Sequence, residues 1–297
     1  MISMGVALGL FVTLSCLIGG FVAMGGHVAV LIQPWEFVII SGTALGTFLC
    51  ANPMSNVKDT GGAIVEALLG KSPTDRDYLD VLSLMYALMR ELRSKPSSEF
   101  EAQIDAPNDS PIFQAYPNLK KNPELVGFVC DYFRLILIGN ARTHEIEALM
   151  DEEIHTIARD SLKPYHSLVG VADGLPALGI VAAVLGVIKA MGALDQSPEV
   201  LGHLIGSALV GTFAGIFLSY SVFGPIATKV KTLREKRNRL YVIVKQTLLA
   251  FMNGAMPQIA IEHGRKTISS KHRPTIDEVE TETVMGGSAS GASKAAA

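Results

Sequence analysis

The apolar and polar positions of this chain are segregated into long blocks. Residues 201–228 contain no Asp, Glu, Lys or Arg, and Asp173 is the only charged residue in 168–188. A bilayer core about 30 Å thick is crossed by roughly 20 apolar helical residues. The pattern therefore predicts two membrane-spanning helices within 168–228, joined by a short outer loop.

Two further apolar blocks precede this hairpin. The block from Met4 to Met24 is uncharged and lacks the basic start of a signal peptide, so we interpret it as a retained span. The block from Trp35 to Ala51 follows Pro34, a residue that suits a helix start. Glu36 falls in the first turn of that helix, where a carboxylate is favourable to the helix dipole. Four spans are expected in all.

The basic residues indicate how these spans are oriented. Every Lys and Arg except Lys189 lies in 58–163 or in 229–294, and the loop after the first span has none. Because basic loops stay on the cytoplasmic side of a membrane, both termini and the long loop are expected in the cytoplasm.

The long inner region has helical periodicity and no convincing strand pattern. One apolar stripe at helical spacing consists of Tyr78, Leu82, Met85, Met89 and Leu92. We therefore expect an all-α polytopic membrane protein with a large helical cytoplasmic region. The expected divisions are spans one and two (1–51), a cytoplasmic helical domain (52–167), the second hairpin (168–228), a cytoplasmic C-terminal helical segment (229–274) and a disordered Gly/Ser/Ala-rich tail (275–297).

The composition excludes several classes of function. A soluble domain of this length rarely combines 49% hydrophobic residues with only 18% charged ones. The three cysteines show no CxxC spacing and are expected as free thiols. No hydrolytic, redox or metal-ligating set is recognisable, so no enzyme, cofactor or metal site is predicted. A single Trp and 7% aromatic residues argue against nucleic-acid binding.

Two prolines interrupt the hairpin. Asp173 either caps a helix that has Pro176 in its first turn, or the helix begins near Leu168 and Pro176 is an interior hinge. Spacing alone leaves these alternatives open. Pro225 follows a long apolar run, and the helical pattern continues in 229–248, which favours a bend over a helix end.

A carboxylate deep within a span is missing from this sequence. Glu36, Asp173 and Lys189 all lie near predicted span ends. Since ion relays through membranes normally use an ionisable residue at depth, either a second protein supplies that group or the chain is a scaffold.

Several stretches resemble the MotA family of flagellar motor stator proteins, of the proton-driven, long-loop type, within the MotA/ExbB/TolQ superfamily. The resemblance covers the chain to about Pro274. Its most specific stretches are 33–40 (QPWEFVII), 145–153 (EIEALMDEE), 173–186 (DGLPALGIVAAVLG), 210–215 (VGTFAG) and 259–267 (IAIEHGRKT).

The resemblance implies an architecture and a partner. It implies a pentamer of such subunits in the bacterial inner membrane around a dimer of MotB, whose single span carries the Asp that takes and releases the proton. It also implies that the third and fourth spans face that Asp. The candidate residues for the proton pathway and its conformational coupling are Asp173, Pro176, Ala183, Thr212 and Pro225.

The resemblance also implies the driving ion and a contact with the rotor. Sodium-type relatives place a Thr, whose hydroxyl oxygen suits a hard cation, where this chain has Ala183. Thr212 is kept, and we expect protons as the driving ion, with no other cofactor. The residues that contact the rotor protein FliG align with Arg93 and Glu101, and Arg90 is a neighbouring substitute.

Rival interpretations remain at this stage. The closest is the energising subunit of another ion-driven inner-membrane complex, of the outer-membrane transport type. A stand-alone secondary transporter should show an internal repeat or a midplane site, and we find no convincing repeat. A membrane-bound enzyme would need a catalytic set, which we do not find.

Overall fold

The computed structural model describes residues 4–139 and 142–283. Throughout these two ranges the chain is helical or irregular, with no strand. Four helical stretches are long and apolar enough to cross a membrane by length and composition: Met4–Ala23, Val28–Ala51, Thr143–Met191 and Pro198–Met252. The expected all-α fold with four spans is confirmed.

The chain divides into two compact units, each made of two separate segments. The first unit comprises Met1–Lys71 and Ser161–Leu233, and the second comprises Ser72–Asp160 and Arg234–Ala297. These bounds differ from the expected ones, since Met54–Leu69 joins the unit that contains the spans and the C-terminal segment joins the inner domain.

Long helices make up the first unit. They are α1 (Met4–Ala23), α2 (Pro34–Ala51), α3 (Met54–Leu69), α9 (Lys163–Met191), α10 (Pro198–Phe217) and the first part of α11 (Gly224–Met252). A 3-10 turn (Val28–Leu31) precedes α2, and a π-helical segment (Leu218–Phe223) joins α10 to α11.

Helix α9 organises this first unit. It packs along α10 and also contacts α2 and α3. On one side Leu175 and Ala182 are buried with Ala214 of α10 and Ile40 of α2. By contrast, α1 buries none of its residues within the chain. The pair formed by α9 and α10 is therefore the centre of the unit.

Shorter helices make up the second unit. They are α4 (Asp75–Ser94), α5 (Ser97–Asp105), α6 (Pro111–Gln114), α7 (Pro123–Ile138), α8 (Thr143–Ser161), the second part of α11, α12 (Pro257–Lys266) and α13 (276–283), with a 3-10 turn at Leu119–Lys121.

The helix ends of the second unit follow from local side-chain chemistry. Thr74 and Asp77 form a reciprocal capping box at the start of α4. Asn122 caps α7 by accepting a hydrogen bond from the Leu125 amide, and Gly139 ends that helix with φ +85°. A left-handed terminal residue favours glycine, which explains why this helix ends at Gly139.

The core of the second unit is built on the apolar stripe of α4. Tyr78, Leu82, Met85 and Met89 are buried there, together with residues of α7, α8, α11 and α12, while Leu92 is partly buried against the same core. The stripe expected from the sequence is confirmed.

Two exposed residues of the acidic run of α8, Asp151 and Glu153, bind side chains of neighbouring helices in this unit. Lys245 of α11 is only 7% exposed and donates to both carboxylate oxygens of Asp151 at 2.6 Å. The Tyr132 hydroxyl of α7 donates to Glu153 at 2.8 Å. A buried ammonium needs a charged partner, so Asp151 ties α8 to α11.

The start of the expected disordered tail is corrected by the structure. Residues 276–283 are helical, and Val279 is only 2% exposed. Thr275 and Glu278 form the capping contacts of this helix, and Glu282 pairs with Arg76 of α4. The segment is polar overall, but the burial of Val279 and the capping contacts of Thr275 are sufficient to form a helix there. The rest of the tail, 284–297, lies outside the described residues.

Candidate functional site

Glycines bring the backbones of α9 and α10 together. A methyl group built on Gly179 would lie 2.9 Å from the Gly211 carbonyl oxygen, and one built on Gly215 would lie 2.6 Å from the Leu175 carbonyl oxygen. Small residues permit such close approach between membrane helices. We call this contact, from Leu175 to Gly186 on α9 and from Ala208 to Gly215 on α10, the glycine seam.

The seam continues along one face of each helix. Gly186 packs against Ala208, and Gly211 packs against Ala182. On α10 the two glycines at 211 and 215 are four residues apart, the small-xxx-small spacing that places both on one face. The hairpin is thus held by backbone packing, which any larger side chain in the seam would disturb.

Ala183 and Thr212 flank this seam. The backbone nitrogen of Ala183 is 3.3 Å from a methyl group built on Gly211, and the Thr212 Cα is 3.3 Å from one built on Gly179. Both residues are half-buried within the single chain. The structure therefore places both residues on the contact between α9 and α10, Ala183 next to Gly211 and Thr212 next to Gly179.

Pro176 lies in the interior of α9. The helix begins at Lys163 and runs without interruption to Met191. The interpretation in which Asp173 caps a helix start is therefore wrong. Pro176 is interior, in a helix that begins five residues before Leu168, and its role as a hinge stays a prediction. Proline removes the hydrogen bond to the carbonyl four residues earlier, here that of Ala172. Asp173 is exposed, one turn before this break.

The fourth span also departs from regular α-helix. Leu218–Phe223 forms a π-helical segment, and Pro225 follows it as the second residue of α11. The helical path continues to Met252, as expected. Short π-helical segments and prolines are the usual causes of bends in helices, and π-segments are frequent at functional sites.

Two polar contacts in the first unit escaped the sequence analysis. The Ser207 hydroxyl of α10 donates to Glu36 of α2 at 3.1 Å. Asn52, Asn56 and Ser167 form a closed triangle of hydrogen bonds of 2.7–2.8 Å that joins the α2–α3 corner to α9. The hydrogen bonds to Ser167 and to Ser207 join residues more than a hundred positions apart, so no periodicity or spacing points to them.

The candidate rotor-contacting residues lie in the second unit. Arg90 and Arg93 are exposed near the C-terminal end of α4, and Glu101 is exposed on α5. The Arg93 guanidinium lies over the Phe251 ring, with 5.9 Å between its Cζ and the ring centre. One of its nitrogens donates to the Met256 sulfur at 2.9 Å. Arg93 is therefore not a freely solvated charge.

Lys95 fixes the corner between α4 and α5. Its ammonium lies 2.7 Å from both Glu91 and Glu99. The hydrogen bond to Glu91 is the largest cause of the raised pKa of Lys95. These two ion pairs lie on either side of Pro96, where α4 gives way to α5. They fix the direction of α5, which carries Glu101, relative to α4, which carries Arg93.

The fold and the glycine seam define a polytopic helical membrane protein whose two central helices pack through small residues, and whose third and fourth spans carry an interior proline and a π-helical segment. Among the described residues, no cluster of His, Cys, Asp or Glu could hold a metal ion. Two family models match the sequence: the motility protein A N-terminal model over residues 7–96, and the MotA/TolQ/ExbB proton channel family model over residues 121–241.

The chain belongs to the MotA/TolQ/ExbB proton channel family. It is 42% identical to motility protein A of Salmonella typhimurium over 93% of both chains, and 41% identical to that of Escherichia coli over the same shares. Its fold is similar to a chain in the structure of C. jejuni MotAB, with a TM-score of 0.72, 17% identity and coverage of 90% of this chain and 96% of that one. It is a stator subunit of the flagellar motor and not an enzyme.

Proposed function

We propose that this chain forms a proton pathway together with MotB, and that proton flow through the pathway drives torque on the rotor. The observation that carries the proposal is the chemistry of the glycine seam. From Gly174 to Thr228 the only acidic residues are Asp195 and Glu199, in the loop and first turn between α9 and α10. A proton relay normally needs an ionisable group at depth. MotB would supply it, and the name MotAB of the similar structure supports that partner.

The coupling would use the two helix interruptions. Protonation of the MotB carboxylate changes its contacts with Ala183 and Thr212, which flank the seam. A ligand shifts a conformational equilibrium only through different affinities for the two states. The break at Pro176 and the π-helical segment before Pro225 are the positions where α9 and α10 bend between those states, and exposed Asp173 lies beside the first of them.

Protons are the proposed driving ion, with no other cofactor. Ala183 offers no side-chain oxygen, whereas a sodium pathway would need several hard oxygen ligands. Thr212 supplies one hydroxyl on the facing helix. This choice of ion rests on the residue at position 183.

The proposed assembly is a pentamer of this chain around a MotB dimer in the bacterial inner membrane. In this assembly both termini and the second unit would lie in the cytoplasm, because every Lys and Arg except Lys189 lies in 58–163 or 229–294 and the loop after the first span has none. Helix α1, which buries no residue within the chain, faces membrane lipid or a neighbouring subunit. Arg90, Arg93 and Glu101 would meet FliG through charge.

The test of the pathway is proton flux in liposomes loaded with a pH-sensitive dye. We expect no saturable flux from this chain alone and a clear flux when it is reconstituted together with MotB. The control is MotB whose single membrane carboxylate is replaced by the matching amide, which should return the flux to the level of empty liposomes. Saturable flux from the chain alone would refute the proposal.

A further inference from the structure

Arg90 and Arg93 form a pair of like charges one turn apart on α4. Both side chains are exposed. Like charges at this spacing on a helix face destabilise it slightly. The stability of α4 therefore does not account for the presence of two neighbouring arginines.

Uncharged groups lie beneath both guanidinium groups. Arg93 rests on the Phe251 ring and donates to the Met256 sulfur. Arg90 lies over the Tyr86 ring, with its Cζ 6.0 Å from the ring centre. The Tyr86 hydroxyl in turn accepts a long hydrogen bond of 3.5 Å from Gln258. We call Tyr86, Phe251 and Met256 the neutral platform.

Other arginines of the second unit are held differently. Arg76, Arg134 and Arg265 each pair with at least one carboxylate. Over the described part of this unit, neither Arg90 nor Arg93 forms an ion pair with a carboxylate. Aromatic rings and a thioether sulfur attract a guanidinium without cancelling its charge. Since a guanidinium has five N–H donors, most of those of Arg93 stay available.

We infer that the neutral platform holds Arg90 and Arg93 in place for an acidic surface of the rotor, and that Met256 is a positioning residue for Arg93. The inference rests on the proposed rotor contact and adds the residues that prepare it. A long side chain loses rotamer freedom when it binds, and a side chain that is already held loses less. A carboxylate at position 256 would hold Arg93 equally well, but it would neutralise the positive charge that is to bind the rotor.

This reasoning gives a matched pair of substitutions at one exposed position. Met256 is 57% exposed, so neither Met256→Glu nor Met256→Gln creates a buried polar group. Full-length chains carrying a fluorescent tag are expressed with MotB in a flagellated strain that lacks its own stator. The stator units recruited to each rotor are counted, and swimming speed is measured.

We expect Met256→Glu to lower recruitment about tenfold, as we also expect for Arg93→Ala, because the introduced carboxylate pairs with Arg93. Met256→Gln should stay within about twofold of the parent chain, because an amide of the same length leaves the charge free. In the Arg93→Ala background, Met256→Glu should cause no further loss. That lack of additivity is a result that general damage to the fold would not produce.

A second variant controls for net charge. Ile259 lies in the first turn of α12, three residues after Met256, and is also 57% exposed. Ile259→Glu therefore adds the same charge at a residue whose apolar side chain makes no hydrogen bond or ring contact to Arg93. An equal loss from Ile259→Glu and Met256→Glu would overturn the inference, as would an unaffected Met256→Glu variant when Arg93→Ala is impaired. In the latter case the proposed rotor contact survives. Normal recruitment of an Arg90→Ala, Arg93→Ala double variant would refute both the inference and the proposed rotor contact.

Discussion

At the scale of single residues, burial sets the chemistry of several groups in the second unit. Desolvation raises the pKa of Tyr116 and of Tyr241 to about 12. The Asp80 carboxyl also has a raised pKa because it is desolvated, although Arg76 at 2.8 Å acts in the opposite direction. These pKa shifts result from close packing around α4, α7 and α11. The groups lie in the core of the second unit and are not part of the proposed proton pathway.

Cys130 gives a pH-dependent prediction at this scale. Its thiol is 2% exposed in α7, and burial raises its pKa to about 11. Only the thiolate is nucleophilic, so at pH 8 Cys130 should have on the order of a hundredfold less reactive form than an exposed thiol. Alkylation should accelerate about tenfold per pH unit and level off only above the raised pKa.

The measurement is the rate of iodoacetamide labelling by mass spectrometry between pH 7 and pH 10. Cys16→Ser and Cys50→Ser remove the other two thiols. The matched reference is the same chain with Cys130→Ser and an exposed residue of the second unit, Ser98, replaced by Cys. Equal labelling rates of the two thiols at pH 8 would contradict the burial of Cys130.

At the scale of helices, the third and fourth spans combine tight packing with local weakness. The glycine seam brings α9 and α10 into backbone contact, whereas Pro176 and the π-helical segment at Leu218–Phe223 remove regular hydrogen bonds close to that contact. An interior proline costs roughly 3 kcal/mol relative to alanine. Retaining such a break in an otherwise regular helix is consistent with a hinge.

Pro176→Ala tests the hinge. Alanine restores the hydrogen bond to the Ala172 carbonyl and lowers the free energy of the regular helix, so the protein should insert and bind MotB normally or more stably. Swimming should be abolished because α9 no longer bends. Co-purification with MotB and swimming speed in soft agar measure the two effects.

Pro164→Ala is the matched control in the same helix. Pro164 lies in the first turn of α9, where its missing N–H removes no helical hydrogen bond. Swimming should therefore persist. Normal motility of the Pro176→Ala variant would rule out the hinge.

At the scale of the whole molecule, each compact unit is completed by distant parts of the chain. In the second unit the C-terminal segment is joined to α4 at two places. Glu282 of the helix at 276–283 pairs with Arg76, and His272, which precedes that helix, forms a hydrogen bond of 2.7 Å with Asp75. Val279 adds an apolar side chain to the core. The C-terminal segment thus contributes to the fold of the inner unit.

Val279→Ala should therefore destabilise the second unit. Removing two buried methyl groups costs roughly 2 kcal/mol in a packed core. Ile276→Ala on the same helix is the control, since Ile276 is 50% exposed and its loss should change the free energy of unfolding by less than about 0.5 kcal/mol. Hydrogen exchange of the α4 amides in the full-length complex reports the difference, and equal exchange in both variants would show that this helix does not stabilise the unit.

The sequence by itself determined the four spans, the all-α class and the apolar stripe of α4. Long uncharged runs and helical periodicity are local properties, and the hydrophobic effect translates them directly into burial or membrane insertion. The family motifs at 173–186 and 210–215 also identified the hairpin as the candidate site, including Pro176, Ala183 and Thr212.

Only the tertiary structure decided which residues meet. Whether Pro176 lies inside a helix depended on where α9 begins, and near that start Leu168 is buried against residues of α3 and α11. Contacts between distant positions include the Glu36–Ser207 hydrogen bond, the Asn52–Asn56–Ser167 triangle and the Phe251 and Met256 groups beneath Arg93. Such contacts depend on how the helices pack against one another. That packing is determined by the free energy of the whole core, and no local sequence pattern encodes it.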